Sequence, residues 1–311
     1  MRKLIMLALV AAGIATIAAL PAAATPRSTN GKIVVNVDNA VTGQEQVYTV
    51  DPDGTDMQFL ANDAEAGQWS PDGTNIAIFG GYLNFDTSTY TDLGLPFDRY
   101  PDLALFCGIW SRDGSMLACE GFGKVDESLN GIYTVRSSDG GGLQRVTSAQ
   151  VDDCPADYSP NGNRLLVSNG ALSVVQTNGN GLHQITPPGM ALDFCSGSWS
   201  PQGNEIVFSA HVPDFNYRSS IWVVHSDGSG LRRIPVPGCG GLRSDPASIG
   251  CQKPVWSPDG QKMMFERHLL IPNDHFDLYT VNADGSGLFQ VTNTPDLDEA
   301  GGDWGTHPVT P

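Results

Sequence analysis

Three histidines, His211, His268 and His275, fall in or beside two polar stretches in the second half of the chain. Brought together, three neutral imidazoles could hold a transition metal; kept apart, they are solvated loop residues. The stretch 210–219 also carries Phe215, Tyr217 and Arg218, an aromatic and cationic set suited to gripping a partner. Asp51-Pro52-Asp53-Gly54-Thr55-Asp56 resembles the opening of a calcium loop, but the twelfth position, where such a loop needs Glu, is Asn62. It reads as a hairpin turn. No Gly-x-Ser-x-Gly elbow is present, and Ser196-Gly197-Ser198 is a strand start. The glycine-rich segments lie in turns and offer no phosphate loop. No catalytic group, cofactor or resident metal is expected.

The elements that would position these residues are written as a repeat. Trp69-Ser70-Pro71-Asp72-Gly73 recurs as Trp110-Ser111-Arg112-Asp113-Gly114, Tyr158-Ser159-Pro160-Asn161-Gly162, Trp199-Ser200-Pro201-Gln202-Gly203 and Trp256-Ser257-Pro258-Asp259-Gly260, with a decayed copy at Trp304-Gly305-Thr306-His307-Pro308. A spacing of 41–57 residues is that of a propeller or array. The aromatic ends a strand, Pro presets φ, and Gly accepts positive φ, so each phrase is a tight turn into a second strand. A second phrase follows. Asp139-Gly140, Asn178-Gly179, Asp227-Gly228 and Asp284-Gly285 each separate two apolar runs, a strong hairpin signal. Each unit therefore holds four strands, A to D, and is one blade. The segment 81–96 fits this pattern least well.

The first strands, at 32–37 and 46–51, are a B and a C with no A before them, and Trp304 ends an A with no B after it. Joining the two completes a blade and removes a free sheet edge. The expectation is an all-β, six-bladed β-propeller of four-stranded antiparallel blades over 25–311, its ring closed by the C-terminal strand joining the N-terminal blade. Loops B–C and D–A share one rim. His211, His268 and His275 belong there, with the long insertions 210–219 and 239–251; His307, His183 and His225 belong to the opposite rim.

The paired phrases resemble the repeats of TolB-like propellers, relatives of WD-repeat propellers. The resemblance covers nearly all of the chain after residue 24 and speaks for fold. TolB carries an additional N-terminal domain for which these repeats leave no place, so its envelope role is not carried over. Polysaccharide lyases related to these repeats use histidine-rich metal sites at the B–C rim, which implies an alternative reading for His211, His268 and His275.

Arg2 and Lys3, the apolar run 4–20 and Ala22-Ala23-Ala24 read as a signal peptide over 1–24, placing the protein outside the cytoplasm as a secreted, periplasmic or cell-envelope protein. No later segment is apolar enough to span a bilayer. The formal net charge of −17 becomes −19 on removal of the two basic residues, which disfavours nucleic acid and anionic lipid; many of the acids are turn residues. Six cysteines in an exported chain suggest disulfides. Cys107 and Cys119 are nearly equidistant from one turn. Cys154 and Cys195 both stand four residues before a blade aromatic, and Cys239 and Cys251 bracket one insertion. The pairs expected are 107–119, 154–195 and 239–251, with 107–154 as the alternative. The function expected is a monomeric, non-catalytic binding propeller that engages a protein, peptide or glycan through its rim; the alternative is a metal-dependent lyase or hydrolase of acidic polysaccharide.

Overall fold

A computed structural model describes residues 29–39, 42–78, 80–148, 153–211, 218–245, 248–269, 275–294 and 296–309. The expected signal peptide, and Phe215 and Tyr217, lie outside the described residues. Six antiparallel sheets form a six-bladed propeller; among the described residues a short 3-10 turn at Glu127–Leu129 is the only helical element. The innermost strands, in ring order, are Leu297–Trp304, Ala66–Trp69, Leu103–Trp110, Cys154–Tyr158, the pair Ala191–Leu192 and Ser198–Trp199, and Gly250–Trp256. Among the described residues no helix is long and apolar enough to cross a membrane.

Each Ser of the turn phrase is buried and organises its turn. Ser70 Oγ donates to Asp72 and accepts the Asn75 N–H at 2.9 Å. Ser111 does the same with Asp113 and Met116, and Ser257 with Asp259 and Lys262. The neutral variant, Ser159 with Asn161 and Arg164, keeps the geometry. The outer hairpins repeat the device: Asp53, Asp227 and Asp284 each accept both the N–H and the hydroxyl of the residue two further on. These hydrogen bonds hold the three turn carboxyls below their usual range. The segment resembling a calcium loop is such a turn, with Lys32 Nζ 2.7 Å from Asp51 and 2.8 Å from Asp56.

The core lies between blades. One buried cluster joins Val207, Ile221 and Val223 of the fifth blade to Trp256, Met263 and Phe265 of the sixth. The phrase aromatics fill these seams: Trp110 packs on Tyr82 of the preceding blade, and Trp69 stacks on His307 with ring centroids 5.4 Å apart. The weakly patterned segment is a full C–D hairpin, Gly81–Asn84 with Thr89–Asp92. Its turn uses Asn84 as acceptor for Thr87 and a positive φ at Ser88, with no Asp-Gly.

The ring closes by antiparallel pairing of Leu297–Trp304 with Ile33–Asn39, from Ile33↔Trp304 to Asn39↔Leu297. Trp304 is buried, and its indole N–H donates to Gly31 O at 3.0 Å. Trp304→Ala should lower the unfolding free energy by about 3–5 kcal/mol, read by chemical denaturation.

Candidate functional site

The inner strands of all six blades wall a cavity of about 460 Å³ that opens at the rim bearing the D–A and B–C loops. Its wall is built close to the axis by glycine. A Cβ on Gly67 would stand 2.3 Å from Gly108 O, so the inner strands of the second and third blades meet backbone to backbone. Three phenylalanines, Phe106, Phe122 and Phe194, face this mouth with Glu65, Glu120 and Lys253. Phe106 and Phe122 meet edge to face at 5.6 Å. Phe194 is 60% exposed because the fifth inner strand is interrupted there. Two disulfides border the mouth: Cys107–Cys119 joins directly opposed residues of one blade, and Cys154–Cys195 ties the start of the fourth inner strand to the break in the fifth. The third bridge, Cys239–Cys251, closes the long insertion.

Deeper in, the residue before the phrase aromatic points inward and latches the next blade. Asp303 accepts the Trp69 N–H at 2.9 Å, Asp157 accepts the Trp199 N–H at 2.7 Å, and Ser198 Oγ faces the Trp256 N–H at 3.3 Å. Gln68 reaches across to Asp157. Arg112, the single departure from Pro within the clear copies of the phrase, sends its guanidinium to 3.6 Å from Asp157. Burial pushes both carboxyls up, Asp303 to about 6, with Arg112 opposing. The buried Glu266 accepts the Gly301 N–H and faces the half-exposed Lys253, and burial again raises the carboxyl. None of these roles follows from residue type. The signal available was positional, a polar residue immediately before the aromatic in four of the six phrases.

The residues singled out by sequence stand elsewhere. His211 and His275 are buried and lie in strands, because Glu205–His211 and His275–Asn282 extend beyond their apolar runs. They are not solvated loop residues. His211 Nε2 is 2.9 Å from Asp193, and Ser219 Oγ lies 3.1 Å from that same nitrogen while donating to Asp193 at 2.9 Å. Ser, His and Asp meet here, but the carboxylate bonds the serine directly, one imidazole nitrogen faces both, and Ser219 is fully buried. The set ties strands together and has no geometry for acyl transfer. His268 stacks on Phe276 at 4.6 Å, and His275 faces Asp277 at 3.7 Å. Among the described residues no group of three His, Cys, Asp or Glu is placed to hold a metal ion. Arg218 is buried, and among the described residues its Nε has no hydrogen-bond partner. None of His211, Arg218, His268 and His275 lines the central cavity.

No protein-family model matches the chain, and no curated protein matches it. Solved structures do. TolB from Acinetobacter baumannii superposes with a TM-score of 0.67 at 16% identity over 88% of this chain, which spans 66% of that one. A candidate TolB from Agrobacterium tumefaciens gives 0.60 at 20% identity, covering 90% of this chain and 93% of that one. An oligogalacturonate lyase in complex with manganese gives 0.55 at 12% identity, covering 85% and 74%. At these identities the likeness is one of fold, and it supports the TolB-like six-bladed propeller read from the repeats.

The closing strand carries buried acids that tie stability to pH. Glu299 receives a hydrogen bond from Thr294 and faces Asp277; burial, with Asp277 adding, pushes it up to about 8. Asp298 lies directly opposite Asp38, like charges on one rung. A carboxyl whose folded pKa exceeds its unfolded value stabilises the fold fully below the unfolded pKa and loses that contribution as pH rises through the folded one. The denaturation midpoint should therefore fall between about pH 5 and pH 9, first through Asp303 and then through Glu299. In urea titrations at stepped pH, Glu299→Gln should remove the decline above about pH 7.

Proposed function

We propose that this chain is an exported, non-catalytic binding propeller that takes an extended segment of a protein or peptide partner into the central mouth. The observation that carries this reading is the cavity itself: six inner strands converge on an open space lined by three phenylalanines and two glutamates. Pockets of this size with an apolar lining and a few polar groups suit a small number of inserted side chains. On the loops of the third blade Phe97 and Val125 are exposed, and Lys124 ties these loops by donating to the carbonyls of Phe97 and Tyr100. Glu65, Glu120 and the formal charge of −17 favour a cationic segment with apolar side chains. Three disulfides support an oxidising compartment outside the cytoplasm.

A lyase reading draws support from the oligogalacturonate lyase likeness alone. It has less behind it, because the imidazoles it requires are engaged within their own blades.

Selection from a random peptide library should yield binders enriched in Lys or Arg beside aromatic or aliphatic residues. Phe194→Ala and Phe122→Ala, both at exposed side chains, should weaken them by about tenfold each without moving the unfolding midpoint. Failure to select any peptide, or binding indifferent to both changes, would count against the mouth as the site. Release of unsaturated products from polygalacturonate would instead favour the lyase.

A further inference from the structure

We propose that the seam between the third and fourth blades is a second binding site, on the rim opposite the mouth, for an uncharged sugar unit. This goes beyond the mouth reading and does not depend on it.

The turn phrase departs from its own pattern at this seam on both sides. Arg112 stands where the other clear copies have Pro, and Tyr158 stands where the other five copies have Trp. Both substitutions open space. At other seams the turn of one blade covers the phrase glycine of the next. A Cβ on Gly114 would lie 3.9 Å from Pro71, on Gly203 3.5 Å from Pro160, on Gly260 2.5 Å from Gln202, and on Gly73 2.7 Å from the His307 N. At Gly162 the same construction meets nothing within 4 Å. The reason is visible in Arg112: no proline ring lies over the neighbour, and the side chain runs inward to Asp157. The smaller ring at 158 acts in the same direction. In the next blade Trp199 Nε1 reaches the carbonyl of Gly203, four residues on, at 3.3 Å, and the shorter phenol at 158 has no indole to extend toward Gly162.

The result is a cavity of about 470 Å³, within the size range of ligand sites. Its lining specifies the chemistry of the occupant. Arg112 and Asp113 contribute one charge of each sign, and both are engaged, Arg112 with Asp157 and Asp113 with Ser111 and Ser115. The rest of the polar lining is neutral: Gln144 Nε2 donates to Thr177 O and the Thr177 hydroxyl to Asn163 O, and the Gln144 carboxamide oxygen and the carboxamides of Asn161 and Asn163 stand beside them. Asn161 Oδ1 is held by Ser159 and the Asn163 N–H, which leaves its amide N–H₂ as a donor. Alternating amide and hydroxyl groups without net charge match a hydroxyl-rich, uncharged ligand. The acidity of the chain disfavours a polyanion at the same place.

The test is saturation-transfer NMR on the full chain with cellobiose, maltose, N,N′-diacetylchitobiose and glucuronate. At least one neutral disaccharide should show transfer, and glucuronate none. Tyr158→Trp restores the repeat, leaves the Arg112–Asp157 pair intact and should fill the cavity, weakening binding by about tenfold or more with an unchanged unfolding midpoint. Arg112→Pro, the other restoration, should weaken binding likewise while lowering the unfolding midpoint through loss of the Asp157 pair, and serves should the first variant fail to fold. Absence of transfer from all three disaccharides, preference for glucuronate, or binding by both folded variants within about twofold of the parent would overturn the proposal. Peptide binding at the mouth should survive both changes, which separates failure here from failure of that reading.

Discussion

Everything in this molecule depends on one pairing, that of Leu297–Trp304 with Ile33–Asn39. A propeller blade buries its faces only against neighbours, so an open ring would leave two sheets half-solvated. The closing strand also does more than pair. Asp303 latches onto Trp69 of the second blade, the Gly301 N–H reaches Glu266 of the sixth, and Glu299 faces Asp277 of the sixth. One eight-residue strand therefore touches both flanking blades through buried polar groups. The central cavity exists only because this strand supplies its sixth wall.

The buried acids follow from the same architecture. Inner strands converge so closely that large side chains cannot all fit, and glycine pairs such as Gly67 with Gly108 take up part of the crowding. Where a side chain is retained, it can bridge to the next blade by accepting a backbone N–H. A carboxyl does this well when protonated or opposed by a cation, and Arg112 and Lys253 supply two cations. The cost of desolvating the charged form appears as raised pKa values at Asp157, Asp303, Glu266 and Glu299.

The fold was legible because its signal is local and repeated. A turn needs Ser, Asp and Gly at fixed offsets, and those types name themselves. Blade count, strand order and ring closure all follow from the phase of the phrase. The second blade's hairpin was hard to see because Asn84 and Ser88 build its turn without Asp-Gly. The site was far less legible. Phe106, Phe122 and Phe194 come from three separate strands or loops, and nothing in their spacing announces a shared mouth. Histidine drew attention by type, yet His211 and His275 are buried among strand partners, since burial depends on how far Glu205–His211 and His275–Asn282 extend. Arg112 was visible as an exception in the repeat; its partner Asp157, one blade away, was not.

The Cys154–Cys195 bridge closes a covalent circle around the fourth blade. Ile33 and Trp304 stand opposite each other in an antiparallel pair, so both ends of the ring leave from the same edge of one sheet. Tension applied to those ends loads the hydrogen bonds of the clasp one rung at a time, the geometry of a zipper rather than of shear. Peeling then advances from either side of the clasp, seam by seam, until it meets the fourth blade. There it encounters a bond that tension of that order does not break. Mechanically the ring is a belt with one weak buckle and one welded link placed almost opposite it.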